Sequence, residues 1–234
     1  MSIAPFQQQS AFLTRRRWLA SGGAALCGTA AWSMAAAEEF SMPKTPQEAV
    51  DFLYAGNRRF VEGRSLSIHQ DLRRVKEIAA RQTPFAAFLG CADSRVPVEF
   101  DFDQGFGDLF VTCIAGNIAS SENIGSLEFG VRILGAKVLF VLGHSACGAV
   151  AATVQGAEQP GQISGLFQHI RPAVKAARGG LAAAVRLNVR NQAQILAESS
   201  PVIAKLIKAG ELLVVGGVYD LQTGIVTPVD CEVE

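Results

Sequence analysis

The sequence carries no excess of either charge. Its 21 Lys and Arg balance 21 Asp and Glu, which leaves no electrostatic footprint for a nucleic acid. It has no pair of cysteines at the short spacing of a zinc knuckle, and that argues against a closed structural metal site on a single loop. Histidine is scarce, with three residues in all, and none reads as a proton shuttle. No internal repeat or interdomain linker is evident, and a chain of 234 residues suits one domain with a filled core. A composition of 49% hydrophobic residues with 23 glycines fits a compact α/β protein and shows no disorder signature beyond the amino terminus.

A long, strongly apolar run is missing as well. The stretch from Leu19 to Ala37 is rich in Ala and Gly and is broken by Ser21-Gly22-Gly23, Gly28 and Ser33, too weakly apolar for a stable membrane span. It follows Thr14-Arg15-Arg16-Arg17-Trp18-Leu19 and ends in Ala35-Ala36-Ala37 before Glu38. Paired arginines, a moderate apolar run and an A-x-A site predict a twin-arginine export signal over residues 1–37. The expected product is a single domain over 38–234, exported to a periplasm or an equivalent extracytoplasmic space, with no stable membrane insertion. Cys27 does not read as a lipidation site, since Ala24 and not Leu stands three residues before it.

The remainder alternates helix and strand patterns. Pro46 to Val61 places Ala49, Phe52, Leu53 and Phe60 on one face, with Thr45 and Glu48 spaced for a capping box. A second helix is predicted over 71–82, after a polar segment whose His69 is assigned no role. Strands follow at 85–90, 107–114 and 137–143, with a helix over 123–135 before the third. The region 148–200 reads as helical with glycine interruptions, and Arg171, Lys175 and Arg178 form a solvated face within it. A last strand over 211–220 and the turn Gln222-Thr223-Gly224 lead into a short terminal strand. Strands separated by helices indicate right-handed crossovers and a mainly parallel sheet.

Two segments concentrate the chemistry: Cys91-Ala92-Asp93-Ser94-Arg95 and Gly143-His144-Ser145-Ala146-Cys147-Gly148. Each follows a predicted strand, so both fall at the carboxyl edge of the sheet, where loops from neighbouring strands converge on ligands. Cys91, His144 and Cys147 form a donor set that suits Zn²⁺ and leaves one tetrahedral position free for water or substrate. Gly148 begins a helix whose N–H groups favour an anion. Asp93 and Arg95 can form a bidentate pair that keeps the carboxylate ionised and oriented. Other readings of the three residues are a four-ligand structural site or buried free thiols. Cys113 and Cys231 are left over, either as a disulfide of an oxidising compartment or as one packed strand thiol and one exposed thiol.

The motifs C-x-D-S-R, G-D-L-F, A-G-N and G-H-S-x-C-G, in that order, closely resemble the β-class carbonic anhydrases over about residues 44 to 228. The resemblance implies a sheet of four mainly parallel strands flanked by helices, one Zn²⁺ per subunit on Cys91, His144 and Cys147, and Asp93 with Arg95 as the catalytic dyad. It further implies CO2 and bicarbonate as ligands, and a homodimer or dimer of dimers with sites at the subunit interface. Gln82, nine residues before Cys91, stands where plant-type members have a substrate-facing glutamine, and Phe110 stands at an apolar pocket wall. A subtype with a non-catalytic bicarbonate pocket has Trp and Arg where this chain has Phe88 and Cys113, so that pocket is not expected in this protein.

The expected activity is reversible CO2 hydration by zinc-bound hydroxide, with Asp93 accepting its hydrogen bond and Gln82 or the Gly148 N–H holding a substrate oxygen. A closed variant would put Asp93 on zinc as the fourth ligand until Arg95 recaptures it. Two alternatives share the scaffold: a hydrolase of CS2 or COS, and a zinc-binding carbon-acquisition subunit without turnover.

Overall fold

The computed structural model describes residues 41–156, 159–178, 180–231 and 233; the predicted export signal, Cys27 included, lies outside them. Helix α1 (Pro46–Val61) begins as its sequence requires. Thr45 Oγ1 accepts from the Glu48 N–H at 3.2 Å, and Glu48 Oε2 accepts from the Thr45 N–H at 3.3 Å. Helix α2 (Leu72–Ile78) is capped by Asp71 and is shorter than the 71–82 expected, ending in a turn at 79–80. Strand β1 (Ala86–Gly90) is followed by the Cys91–Val96 loop and a short helix α3 (Val98–Asp101), then by β2 (Leu109–Cys113).

The helix expected over 123–135 is α4 (Ser121–Glu128), continued by a π-helical turn over Phe129–Ile133. A Cβ on Gly130 would come within 2.7 Å of the Phe110 ring, so the missing side chain lets this turn sit directly on β2. Strand β3 (Val138–His144) leads to α5 (Gly148–Gln155), α6 (Ile163–Ala176) and α7 (Leu181–Ser199), which resolve the predicted helical region into three. Helix α8 (Pro201–Lys208) is an addition to the expected elements, although Ser200 with Pro201 is a start signal of known mechanism; Ser200 Oγ accepts from the Ile203 N–H at 3.0 Å. Strands β4 (Leu213–Tyr219) and β5 (Val226–Val229) complete the chain. Among the described residues no helix is long and apolar enough to cross a membrane.

The sheet order is β2-β1-β3-β4-β5, with the first four strands parallel and β5 antiparallel to β4. This is the mainly parallel α/β sheet that the strand and helix alternation predicts. Helices cover both faces, so β1 and β3 are buried along their whole length, as continuous apolar strands require. One face packs Leu89, Leu139 and Val141 against Leu127, Val189 and Leu196. The other packs Phe88 flat on Phe140, 5.1 Å between centroids, with Phe102 and Leu53. Phe88 therefore belongs to the core. Asn57 of α1, itself buried, donates to the Asp101 and Gly224 carbonyls at 2.8 Å and accepts from the Val226 N–H at 2.9 Å, joining α1 to α3 and β5.

The leftover cysteines are free. Cys113 ends β2 at one edge of the sheet, whereas Cys231 packs against Gly216 of β4. Two strands intervene, so the separation is roughly 14 Å at about 4.8 Å per strand, beyond the reach of a disulfide. Their environments are the reverse of the expected pair of free thiols: Cys113 is exposed and Cys231 buried.

Candidate metal centre

Parallel strands bring both chemical segments to one edge. Cys91 directly follows β1, His144 is the last residue of the adjacent β3, and Cys147 precedes the first turn of α5. All three are buried, and their ligand atoms lie within 4.8 Å of one another. Donors on a zinc tetrahedron stand about 3.6–3.8 Å apart, given Zn–S near 2.3 Å and Zn–N near 2.05 Å. Small adjustments would therefore seat the ion. Among the described residues this is the only such group.

His144 is prepared for a metal. Its Nδ1 lies 3.0 Å from the Ser145 carbonyl, which can only accept, so the proton sits on Nδ1 and Nε2 keeps its lone pair. Nε2 is buried and has no hydrogen-bond partner, a costly arrangement that a bound cation would relieve. Burial opposes a charge on this ring, but Cys91, the Ser145 carbonyl and Asp93 outweigh it and raise its pKa. The neighbouring Cys147 and His144, with the Gly116 N–H that donates to the sulfur at 3.3 Å, favour thiolate at Cys91. Its proximity holds Cys147 protonated.

Asp93 sits at the mouth of this cluster. Arg95 grips it with Nε at 2.8 Å on Oδ1 and a terminal nitrogen at 2.7 Å on Oδ2, while the Arg95 N–H donates to Oδ1 at 3.0 Å. The guanidinium holds the carboxyl well below the usual carboxylate range. Oδ2 lies 3.7 Å from His144 Nε2, so one oxygen faces the position that a fourth ligand would take. Gly148 opens α5 into open space.

Gln82 and Phe110 are not brought to the cluster of their own chain. Gln82 lies before β1, beside Ile133 and Leu134. Phe110 pairs with Ala87 in the sheet register and packs against Gly130. The ligands leave the carboxyl ends of the strands, whereas Ala87 stands four residues earlier on β1, roughly 13 Å away at about 3.3 Å per residue. His69 is also remote from the cluster; its Nδ1 meets Asp108 at 2.7 Å, which makes it a loop anchor and not a plain surface residue. Arg171, Lys175 and Arg178 are all exposed, as a solvated face requires.

Residues that sequence reasoning passed over hold the site from behind. Asn188 and Gln192 of α7 are buried and bond to the loop after β2; their spacing of four on an otherwise apolar helix face was the available signal. Asp101 is also buried, with both carboxyl oxygens unpartnered.

A family model described as carbonic anhydrase matches residues 86–226. Carbonic anhydrase 2 of Mycobacterium tuberculosis is 38% identical over 192 residues, which span 78% of this chain and 93% of that protein. A carbonic anhydrase of Pseudomonas aeruginosa is 32% identical over 170 residues, 66% of this chain and 77% of the relative. Among solved structures, a Coccomyxa β-carbonic anhydrase in complex with acetazolamide superposes with TM-score 0.59 at 26% identity, over 80% of this chain and 86% of its own. A tetrameric β-carbonic anhydrase of Sordaria macrospora shares the fold with TM-score 0.64 at 22% identity, over 78% and 97%.

Proposed function

The chain belongs to the β-class carbonic anhydrases, and from that premise we propose that it hydrates CO2 reversibly to bicarbonate and a proton on a zinc ion held by Cys91, His144 and Cys147. The observation that carries the metal assignment is the buried, unpartnered His144 Nε2 facing two sulfurs. Zinc bound there supplies a Lewis acid that makes water nucleophilic near neutral pH.

The protein's own residues supply the rest. Asp93, kept ionised by Arg95, can only accept, so it holds the attacking water by one of its hydrogens and points an oxygen lone pair at CO2. Because Arg95 occupies both carboxylate oxygens, the open arrangement is favoured over one in which Asp93 is itself a metal ligand. The Gly148 N–H, at a helix start, suits the charge that develops on a substrate oxygen. Gln82 and Phe110 serve the site of a second copy, in a homodimer or dimer of dimers. Exposed Phe129 and Ile133 beside them, the latter 66% exposed, are the apolar surface such an assembly would cover. Export is proposed on the paired arginines and the A-x-A site alone.

Stopped-flow CO2 hydration tests this reading. Zinc-loaded protein should turn over, chelator-stripped protein should not, and Asp93→Asn should retain zinc while losing activity. Rapid hydration by metal-free protein would refute the role of zinc, and full activity in Asp93→Asn would refute that of the carboxylate.

A further inference from the structure

The loop after β2 reaches the metal centre through one backbone group, the Gly116 N–H that donates to Cys91 Sγ at 3.3 Å. This loop does not hold its shape alone. Gly116 adopts φ +80° freely as a glycine, whereas Asn117 at φ +42° is a non-glycine in the left-handed region, a position that external bonds help to hold. The support comes from α7. Asn188 Nδ2 donates to the Gly116 carbonyl at 2.9 Å, and Gln192 Oε1 accepts from the Ala119 N–H at 2.8 Å. Gln192 Nε2 in turn donates to Asn188 Oδ1 at 3.1 Å and to the His169 carbonyl at 3.2 Å. Asn188 is 1% exposed and Gln192 fully buried, so each amide is committed to these bonds and cannot exchange them for water.

We propose that Asn188 and Gln192 are positioning residues for the metal-binding sulfur: they lock the Gly116–Ala119 loop so that the Gly116 N–H points at Cys91 Sγ and withdraws charge from it. An N–H bond to a coordinating thiolate lowers the energy of its lone pairs, which weakens sulfur donation and leaves the metal more electrophilic. Outer partners of this kind orient ligands and tune metals. The same bonds pre-organise Cys91 for capture of the ion.

The inference rests on the zinc reading, and two measurements separate their failures. Zinc affinity is taken by competition with a chromophoric chelator, and the sulfur-to-metal charge-transfer band is recorded on the Co²⁺-substituted protein. Asn188→Leu, similar in volume, should move the band to longer wavelength, and because lost pre-organisation of Cys91 outweighs its stronger donation, affinity should fall by about 10–100-fold. Gln192→Met, uncharged and similar in volume, loses the amide bonds of Gln192 but leaves the Asn188 bond to the Gly116 carbonyl, so it should move both in the same direction by less. It carries the test alone if Asn188→Leu does not fold. Ser200→Ala weakens the α8 cap without touching the loop and should leave band and affinity unchanged despite a lower Tm. A band that stays in place in the α7 variants, or that moves as far in Ser200→Ala, overturns the proposal, even if affinity falls. Wild-type protein that binds neither metal overturns the zinc reading itself.

Discussion

Asp101 gives the sharpest test of the electrostatics. It ends α3 at 1% exposure, and neither carboxyl oxygen has a hydrogen-bond partner. Burial pushes its pKa up to about 7, with Glu99 adding to the rise and Tyr219 and His144 opposing it. The folded state therefore keeps a proton that the unfolded state releases above its ordinary value near 4, so stability must fall as pH rises between the two. Three pH units at 1.36 kcal/mol each give about 4 kcal/mol as the full cost, complete above pH 7. Asp101→Asn removes the titration. Urea unfolding of both proteins from pH 5.5 to 8.5, with zinc in constant excess, should show the variant gaining on the wild type by roughly 2 kcal/mol between pH 5.5 and 7 and levelling off beyond. A difference that does not change with pH would mean that the carboxyl titrates normally, and would refute the burial effect.

Other outcomes follow from the same structure. Cys147→Ser and His144→Ala should each lose stoichiometric zinc by elemental analysis while the far-ultraviolet dichroism stays α/β. Truncating the stacked core ring in Phe140→Ala should cost about 3–5 kcal/mol in chemical denaturation, and a loss below 1 kcal/mol would contradict its complete burial. Ile133→Asp should shift the sedimentation of an oligomer toward monomer and reduce activity with it, because Gln82 sits beside Ile133. Non-reduced peptide mapping should find Cys113 and Cys231 as separate thiols; a cross-linked peptide would contradict the sheet order that separates them.

Much of this was legible in the chain because the signals are local. Short apolar runs before Cys91 and His144, set in an alternation of strand and helix patterns, read as buried parallel strands, and that placed both ligand segments at one edge of the sheet. Thr45 with Glu48 likewise announced α1. Long-range terms were harder to read. Whether Cys113 could reach Cys231 depended on two intervening strands, and the close seating of the turn at Phe129 on β2 depends on Gly130 meeting Phe110 twenty residues earlier. Asn188 and Gln192 look like ordinary helix polar residues until α7 is laid against the loop at Gly116. The motif spacing of Gln82 and Phe110 carries no record of which copy of the chain they would serve.

The central claim is that two sulfurs and one imidazole hold a zinc ion whose remaining position is filled by an exchangeable light atom. Zinc X-ray absorption on the purified protein tests it most directly. The predicted result is a shell of two sulfurs near 2.3 Å and two nitrogen or oxygen atoms near 2.0–2.1 Å. A shell of three or four sulfurs, or a protein purified in zinc that retains none, would contradict it.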